Sequence, residues 1–338
     1  MSIGLPLLIT GVPGVPGYNA MYHFRHKFPG DVVGIRPADN WRLEGEQIVP
    51  CDMEDIDALK RLFDEYQFKS VLHCAGSCAL KSCELDPAMA WRINLEGTRN
   101  LLHILEGTDT RLIHLSVDLV FSGESGEGHM LETDSTDPVT VYGKTMAAAE
   151  SLVSLIRPNA TIMRISLPMG VSFNGHAGAI DWIQSRFKKN RPATLYFDEV
   201  RTPTYTDCMN LAFEEILSRE MPGIFHAGGP VRLSLYEIAQ IVNRVGGYDP
   251  ELLMGCMRIE AGPIPPRAGN VSMNSEKLTD QLGFGPFHGW PFDERYIPTH
   301  REWHYERPAN ESGNPEALKN MLYCNPLRSE GIIRPPFP

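Results

Sequence analysis

The 338-residue sequence has no excess of positive charge: 31 Lys plus Arg stand against 42 Asp plus Glu, a formal net charge of -11. That balance excludes the non-specific affinity for nucleic acid or anionic membrane that a basic surface provides, so an anionic ligand must be met by locally placed Arg or Lys. No C-x-x-C occurs among the seven cysteines (Cys51, Cys74, Cys78, Cys83, Cys208, Cys256, Cys324). An odd count without that spacing fits reduced thiols in a cytoplasmic protein better than a disulfide frame. Cys74, Cys78 and Cys83 lie close together but follow no zinc spacing, so no metal site is expected. No apolar run is long enough to span a bilayer. The opening "MSIGLPLLITGVPG" also lacks a basic start and a small-residue cleavage site, and it reads as a buried strand. No internal repeat is present.

What is present is an alternation of short apolar runs with helical patterns, the signature of βαβ units around a parallel sheet. "LPLLIT", "DVVGIR", "SVLHCAG", "RLIHLSVDLVF" and "ATIMRIS" read as strands. Residues 18–27, "DIDALKRLFDEY" and "AMAWRINLEGTRNLLHILE" read as helices, and a further helix opens near Tyr142 after a polar loop from Ser122 to Asp137. After about Ile165, Gly and Pro become frequent and the periodic segments shorten, which suggests a smaller lobe; "LYEIAQIVNRVGG" is a helix with a glycine stop. The fold expected is α/β: a Rossmann-type doubly wound parallel sheet over residues 1–165, with part of 198–228 returning to it. A smaller C-terminal substrate lobe would span 166–300, followed by an extended tail over 301–338.

The ordered series "TGVPGVPG", "CDMED", "HCAG", "INLEGTRNLL", "LSVDLVFSG", "PVTVYGKTMAAAE", "DEVRTPTYTD" and "FHAGG" resembles the extended short-chain dehydrogenase/reductase superfamily. The likeness covers roughly residues 5–285. It is to the branch of dTDP-4-dehydrorhamnose reductases and the related regulatory subunit of methionine adenosyltransferase. Gly11, Gly14 and Gly17 match its G-x-x-G-x-x-G, in which glycines allow a tight turn, the approach of backbone to a pyrophosphate, and helix packing on the strand. Pro16 falls in the first helical turn and removes one N–H from that cradle, leaving Val15 as a main donor. Arg36 follows the second strand where NAD-preferring members carry an acid. A guanidinium there, with Arg42 as helper, favours NADP(H) over NAD(H). Asp52 matches the adenine contact, and Ala75 and Gly76 match the small residues lying against the cofactor.

The catalytic set departs from the resemblance. Tyr142 falls on the family's proton-transferring tyrosine, but Met146 replaces the lysine four residues on, and Val117 replaces the polarising Ser or Thr. Lys144 lies on another helix face. Ser116 is one residue early and should point away unless a bulge re-aims it. Asp118 matches an acid beside the substrate, with Leu119 in place of a tyrosine. Arg201 and Arg267 match positions that clamp a nucleotide diphosphate, His176 sits in a glycine-flanked loop at the lobe entrance, and Phe173, Trp182 and Tyr205 are available for stacking.

Two readings follow from the resemblance. The first is an NADP(H)-dependent oxidoreductase acting on a nucleotide sugar or similar carbonyl or hydroxyl substrate, with Tyr142, Asp118 and Ser116 as an atypical proton network. The second is a catalytically silent dinucleotide-binding regulatory or scaffold subunit. The partners expected are a small-molecule substrate and neither nucleic acid nor membrane, with a homodimer left open.

Overall fold

The computed structural model describes residues 3–307, 313–328 and 334–336. β1 (Leu7–Thr10) leads through the glycine loop into α1 (Val15–Lys27), and β2 (Val32–Arg36) is followed by a short β3 (Ile48–Pro50) and α2 (Ile56–Tyr66). Next come β4 (Ser70–His73), α3 (Leu80–Leu85), α4 (Pro87–Trp91) and α5 (Gly97–Leu105), the last two joined by a π-helical turn at Arg92–Glu96. β5 (Arg111–Val117), α6 (Val141–Ile156) and β6 (Thr161–Ile165) complete the first half.

Beyond it lie β7 (Pro168–Met169), α7 (Asp181–Lys188), β8 (Ala193–Tyr196), β9 (Val200–Arg201) and β10 (Thr204–Tyr205). α8 (Thr206–Ser218) and β11 (Gly223–Ala227) return to the main sheet. They are followed by β12 (Leu233–Ser234), α9 (Leu235–Gly246), β13 (Leu253–Cys256), α10 (Glu276–Leu282) and, near the C-terminus, α11 (Pro315–Leu318).

Seven parallel strands form the central sheet in the order β11-β6-β5-β4-β1-β2-β3. The direction of winding reverses between β1 and β4, which opens a crevice at the carboxyl ends of the strands. Because helices cover both faces, the strands are apolar on both sides: Leu7, Leu8 and Ile9 are all fully buried. One face packs Leu7, Ile9, Leu72, Ile113 and Met163 against α1 and α8; the other packs Leu8, Val33, Val71, Leu112 and Ile162 against α2, α5 and α6. α6 is fixed to the sheet by a buried ion pair in which Arg164 of β6 grips both carboxylate oxygens of Glu150, at 2.9 and 2.8 Å. This is the Rossmann-type doubly wound fold expected from the alternation of strands and helices.

A second core gathers Ile183, Phe187, Leu195, Tyr236, Val242, Trp290 and Trp303 around α7, α9 and the β8/β13 pair. α9 opens with a capping box between Ser234 and Glu237 and stops at Gly247, whose φ of 68° only glycine adopts cheaply. Leu318, Leu322 and Tyr323 from the C-terminal segment are buried in the same core. That segment is helical and turn-like rather than extended, and residues 308–312, 329–333 and 337–338 of the expected tail lie outside the described residues. No described helix is long and apolar enough to cross a membrane.

Local differences from the sequence reading have physical causes. The long helix read through "AMAWRINLEGTRNLL" runs on without a break but widens into a π turn at its middle, where Asn94 turns inward to bond the backbone of Ser77 and the hydroxyl of Thr145. The strand read through "RLIHLSVDLVF" stops at Val117, and Asp118–Val120 winds into a single 3-10 turn.

Candidate functional site

The carboxyl ends of β1, β2, β4 and β5 bring together most of the residues singled out in the sequence. At the glycine loop the three glycines have separate reasons to be there. Gly11 has a φ of +67°, and a Cβ on it would lie 2.5 Å from the backbone of Cys74 and Ala75. A Cβ on Gly17 would collide with the carbonyl oxygen of Gly11, so this glycine lets α1 close on β1. Gly14 has an ordinary extended conformation, φ -74° and ψ 152°, and the first atom a Cβ would meet is Gly11 O at 3.4 Å. The fold itself does not demand glycine there. Gly14 is the N-cap of α1 with no side-chain cap, its own N–H donates to Gly11 O, and Pro16 stands in the first turn. By position, Val15 and Gly17 are the remaining N–H groups aimed out of the helix start.

Thr10, just before the loop, anchors a chain of buried hydrogen bonds. Its hydroxyl accepts the N–H groups of Cys74 and Ala75, both at 3.1 Å, and so donates to His73 Nδ1 at 2.8 Å. His73 Nε2 is then the protonated nitrogen and donates to Thr98 Oγ1 at 3.1 Å, and Thr98 donates onward to Asn94 O. Burial holds the His73 imidazole neutral, with its pKa well below the usual 6.5. Asn94 donates to Thr145 Oγ1, which donates to the carbonyl of Tyr142. The glycine loop and the tyrosine helix are thereby tied to one network that the sequence reading did not anticipate. Its residues are common polar types scattered over five elements, and no spacing announces them. The Ala75 N–H is consumed by Thr10, and Gly76 faces Asn94 Oδ1 at 3.2 Å from where a Cβ would sit.

Arg36 and Asp52 share one turn. Arg36 donates to the carbonyls of Pro37 and Ala38 at 3.0 and 3.3 Å, while Asp52 accepts the Ala38 N–H at 3.1 Å. Arg42 lies over the Trp41 ring at 5.3 Å, in an open hollow lined also by Asp39 and Asn40.

Tyr142 stands in the first turn of α6, which Thr140 caps through the Gly143 N–H at 2.9 Å. A Cβ on Gly143 would collide with Leu119 O, so glycine lets the start of α6 settle on the 118–120 turn. Tyr142 is buried, and its pKa is pushed well above 10 by burial first, then by Cys78 and Asp118, with Arg201 opposing. Met146, one turn on, is buried and apolar, and Lys144 points to solvent. β5 pairs with β6 in unbroken register through Val117, so no bulge re-aims Ser116. Its hydroxyl is enclosed and has no hydrogen-bonding partner among the described residues.

Asp118 and Arg201 are paired with each other beside Tyr142. Asp118 is fully buried and accepts from Ser166 Oγ at 2.6 Å, from Arg201 Nε at 2.6 Å and from Arg201 Nη2. Both of its oxygens accept hydrogen bonds, and Arg201 gives it Nε and Nη2 while Nη1 lies 3.7 Å from Glu199. Arg267 is paired with Glu199 at 2.7 Å and lies over the Tyr196 ring at 4.7 Å. Glu199, which the sequence reading missed, is the link: it also lies 3.7 Å from Arg201. Its place two residues before Arg201, on the same face of an extended segment, was the available signal. His176 is exposed in its loop, where its backbone N–H donates to Asn174 Oδ1. Tyr205 is fully buried with its hydroxyl bonded to Met321 O and Phe292 N, Phe173 meets Tyr18 edge-on at 6.3 Å, and Trp182 is exposed beneath Arg186. Among the described residues no cluster of His, Cys, Asp or Glu could hold a metal ion.

The RmlD substrate binding domain family matches residues 7–290. The chain belongs to this family. It is thus a member of the RmlD-like branch of the extended short-chain dehydrogenase/reductases. Among its relatives is the dTDP-4-dehydrorhamnose reductase of Mycolicibacterium smegmatis, 27% identical over 270 residues, which cover 77% of this chain and 80% of that protein. Methionine adenosyltransferase 2 subunit beta of Mus musculus is 27% identical over 313 residues, covering 87% of this chain and 90% of that protein. Solved structures that share this fold include two with bound ligands. The dTDP-4-dehydrorhamnose reductase of Bacillus anthracis in complex with NADP has a TM-score of 0.69 and 20% identity, covering 86% of this chain and 96% of that one. The UDP-glucose 4-epimerase of Thermotoga maritima with UDP-glucose has a TM-score of 0.72 and 19% identity over the same shares.

Proposed function

We propose that this RmlD-family chain binds a nicotinamide dinucleotide, NADP(H) ahead of NAD(H), and acts as an oxidoreductase on a nucleotide sugar or similar carbonyl or hydroxyl compound. The observation that carries the dinucleotide reading is Gly14: packing explains Gly11 and Gly17, whereas Gly14 leaves open backbone at a helix start, the arrangement an incoming pyrophosphate uses. Val15 and Gly17 N–H would hold the phosphates. Arg36 and Arg42 would meet a 2′-phosphate, and Asp52, Ala75 and Gly76 would line the nucleoside. The B. anthracis relative with NADP supports the same reading.

A reduced nicotinamide dinucleotide, when bound, supplies the hydride for reduction of a carbonyl. Tyr142 Oη donates the proton to the carbonyl oxygen. With its pKa pushed up by burial and no lysine one turn away, the phenol is neutral at pH 7 and yields its proton reluctantly. Missing acid–base partners cost typically 10²–10⁴-fold, so turnover is slow by the standard of the family.

The test is titration of the full chain with NADPH and NADH, followed by NADPH oxidation in the presence of keto-sugar nucleotides and free ketoses. Binding of NADPH in preference to NADH, with slow turnover abolished in Tyr142→Phe and cofactor affinity within about twofold, is the expected result. A second reading, a silent dinucleotide-binding subunit, is favoured by Met146 and Val117 where the resemblance expects a lysine and a Ser or Thr. Binding without turnover on every compound would select it, and no binding at all would remove both.

A further inference from the structure

Three guanidiniums on the substrate-lobe side of Tyr142 are matched by carboxylates of the chain itself. Arg201 is held by Asp118 and approached by Glu199 at 3.7 Å; Arg267 is held by Glu199 at 2.7 Å. Arg258 is held by Asp198 at 3.2 Å and Glu124 at 2.8 Å, and it also donates to the carbonyl of Arg267, which joins the groups into one array. The array thus holds four carboxylates for three guanidiniums. Asp118 and Glu199 are almost completely enclosed, so drawing a guanidinium away from either would leave a buried charge uncompensated. A diphosphate arriving here would meet no unengaged guanidinium in the array, and it would face a net negative set of groups. By contrast, a neutral polyol or ketose needs only hydrogen bonds.

We infer that Glu199 sets the substrate class of this chain: by engaging Arg201 and Arg267 it withholds them from ligand phosphate, and the lobe takes a carbonyl or hydroxyl compound without a diphosphate. The inference rests on the oxidoreductase reading for its substrate, but its test does not depend on turnover. Burial pushes the Glu199 carboxyl up, and Arg267 and Arg201 pull it back toward the charged form.

The experiment is calorimetric titration of the full chain with UDP, before and after saturation with NADPH. The wild type is expected to bind UDP no tighter than about 1 mM, and Glu199→Gln to gain about tenfold or more, the gain one released charge-assisted contact provides. Adding Arg267→Ala to that variant should cancel the gain. Glu124 is 62% exposed, so Glu124→Gln carries little folding risk and should give a smaller gain through Arg258. Micromolar UDP binding by the wild type would overturn the inference. So would variants that stay folded by circular dichroism and gain nothing. Loss of NADPH binding in the same samples would strike the dinucleotide reading instead, and leave the UDP comparison standing.

Discussion

His114 is a costly residue in the sheet. It lies on β5 with its ring 5.2 Å from that of His73, and neither of its nitrogens has a hydrogen-bonding partner among the described residues. Burial lowers its pKa to about 4 from the 6.5 of an open imidazole. Between those values the unfolded chain binds a proton that the folded chain does not, so the stability is fully present above pH 6.5 and is lost as the pH falls toward 4. The loss at the acid end is about 3 kcal/mol, from 1.36 kcal/mol per unit. His73, also lowered by burial, acts in the same direction. His114→Leu, of similar volume, removes the unpartnered nitrogens and should be neutral or stabilising at pH 7. Its urea midpoint should fall less steeply than that of the wild type between pH 6.5 and 4, and an unchanged slope would mean that His114 is not the titrating group.

Among the elements, the β1–α1 unit separates what the fold needs from what a ligand needs. Gly17→Ala drives a Cβ into Gly11 O and should lower the melting temperature by several degrees, the result of about 1–3 kcal/mol of overpacking. Gly14→Ala finds space and an ordinary backbone, so thermal unfolding should barely move while NADPH affinity falls. If both variants lose stability equally, Gly14 belongs to the fold and the argument for the cradle fails. Pro16→Ile restores an N–H in the first turn and should tighten NADPH by about tenfold; no gain would mean that Val15 and Gly17 already satisfy the phosphates. These elements were legible in the sequence because glycine spacing and apolar runs are local signals. The π turn at Arg92–Glu96, the network from Thr10 to Thr145 and the pairing of Glu199 with Arg267 were not. Each depends on partners far apart in the chain: nothing in a local window distinguishes Thr98 from a surface residue, and the spacing of Glu199 from Arg201 marks a shared face without pointing to Arg267. The bulge that would re-aim Ser116 is absent, because β5 runs in unbroken register to its end.

At the scale of the whole molecule, the two cores differ in how they are closed. The Rossmann-type sheet is sealed by helices that follow its strands directly. The second core instead takes Leu318, Leu322 and Tyr323 from a segment beyond the family match, which ends at residue 290. That segment is tied down at three points: Tyr205 donates to Met321 O at 2.6 Å, Trp290 Nε1 donates to Leu322 O at 2.8 Å, and the Tyr323 hydroxyl donates to Asp181 at 2.6 Å. Asn325 adds a fourth tie, its N–H donating to Asp207 at the start of α8. Three enclosed apolar side chains contribute on the order of 5 kcal/mol, a large share of the margin by which a domain is stable. Truncation before Gly313 should therefore expose the apolar surface around Trp290 and Tyr205. In hydrogen exchange, α7 and α9 should lose protection while β1, β4 and β5 keep theirs. NADPH binding should persist in the truncated protein, because the glycine loop and Arg36 lie on the other core. A truncation that left α7 and α9 as protected as before would show that the second core closes without its C-terminal strap, and one that abolished NADPH binding would show that the two cores unfold as a single unit.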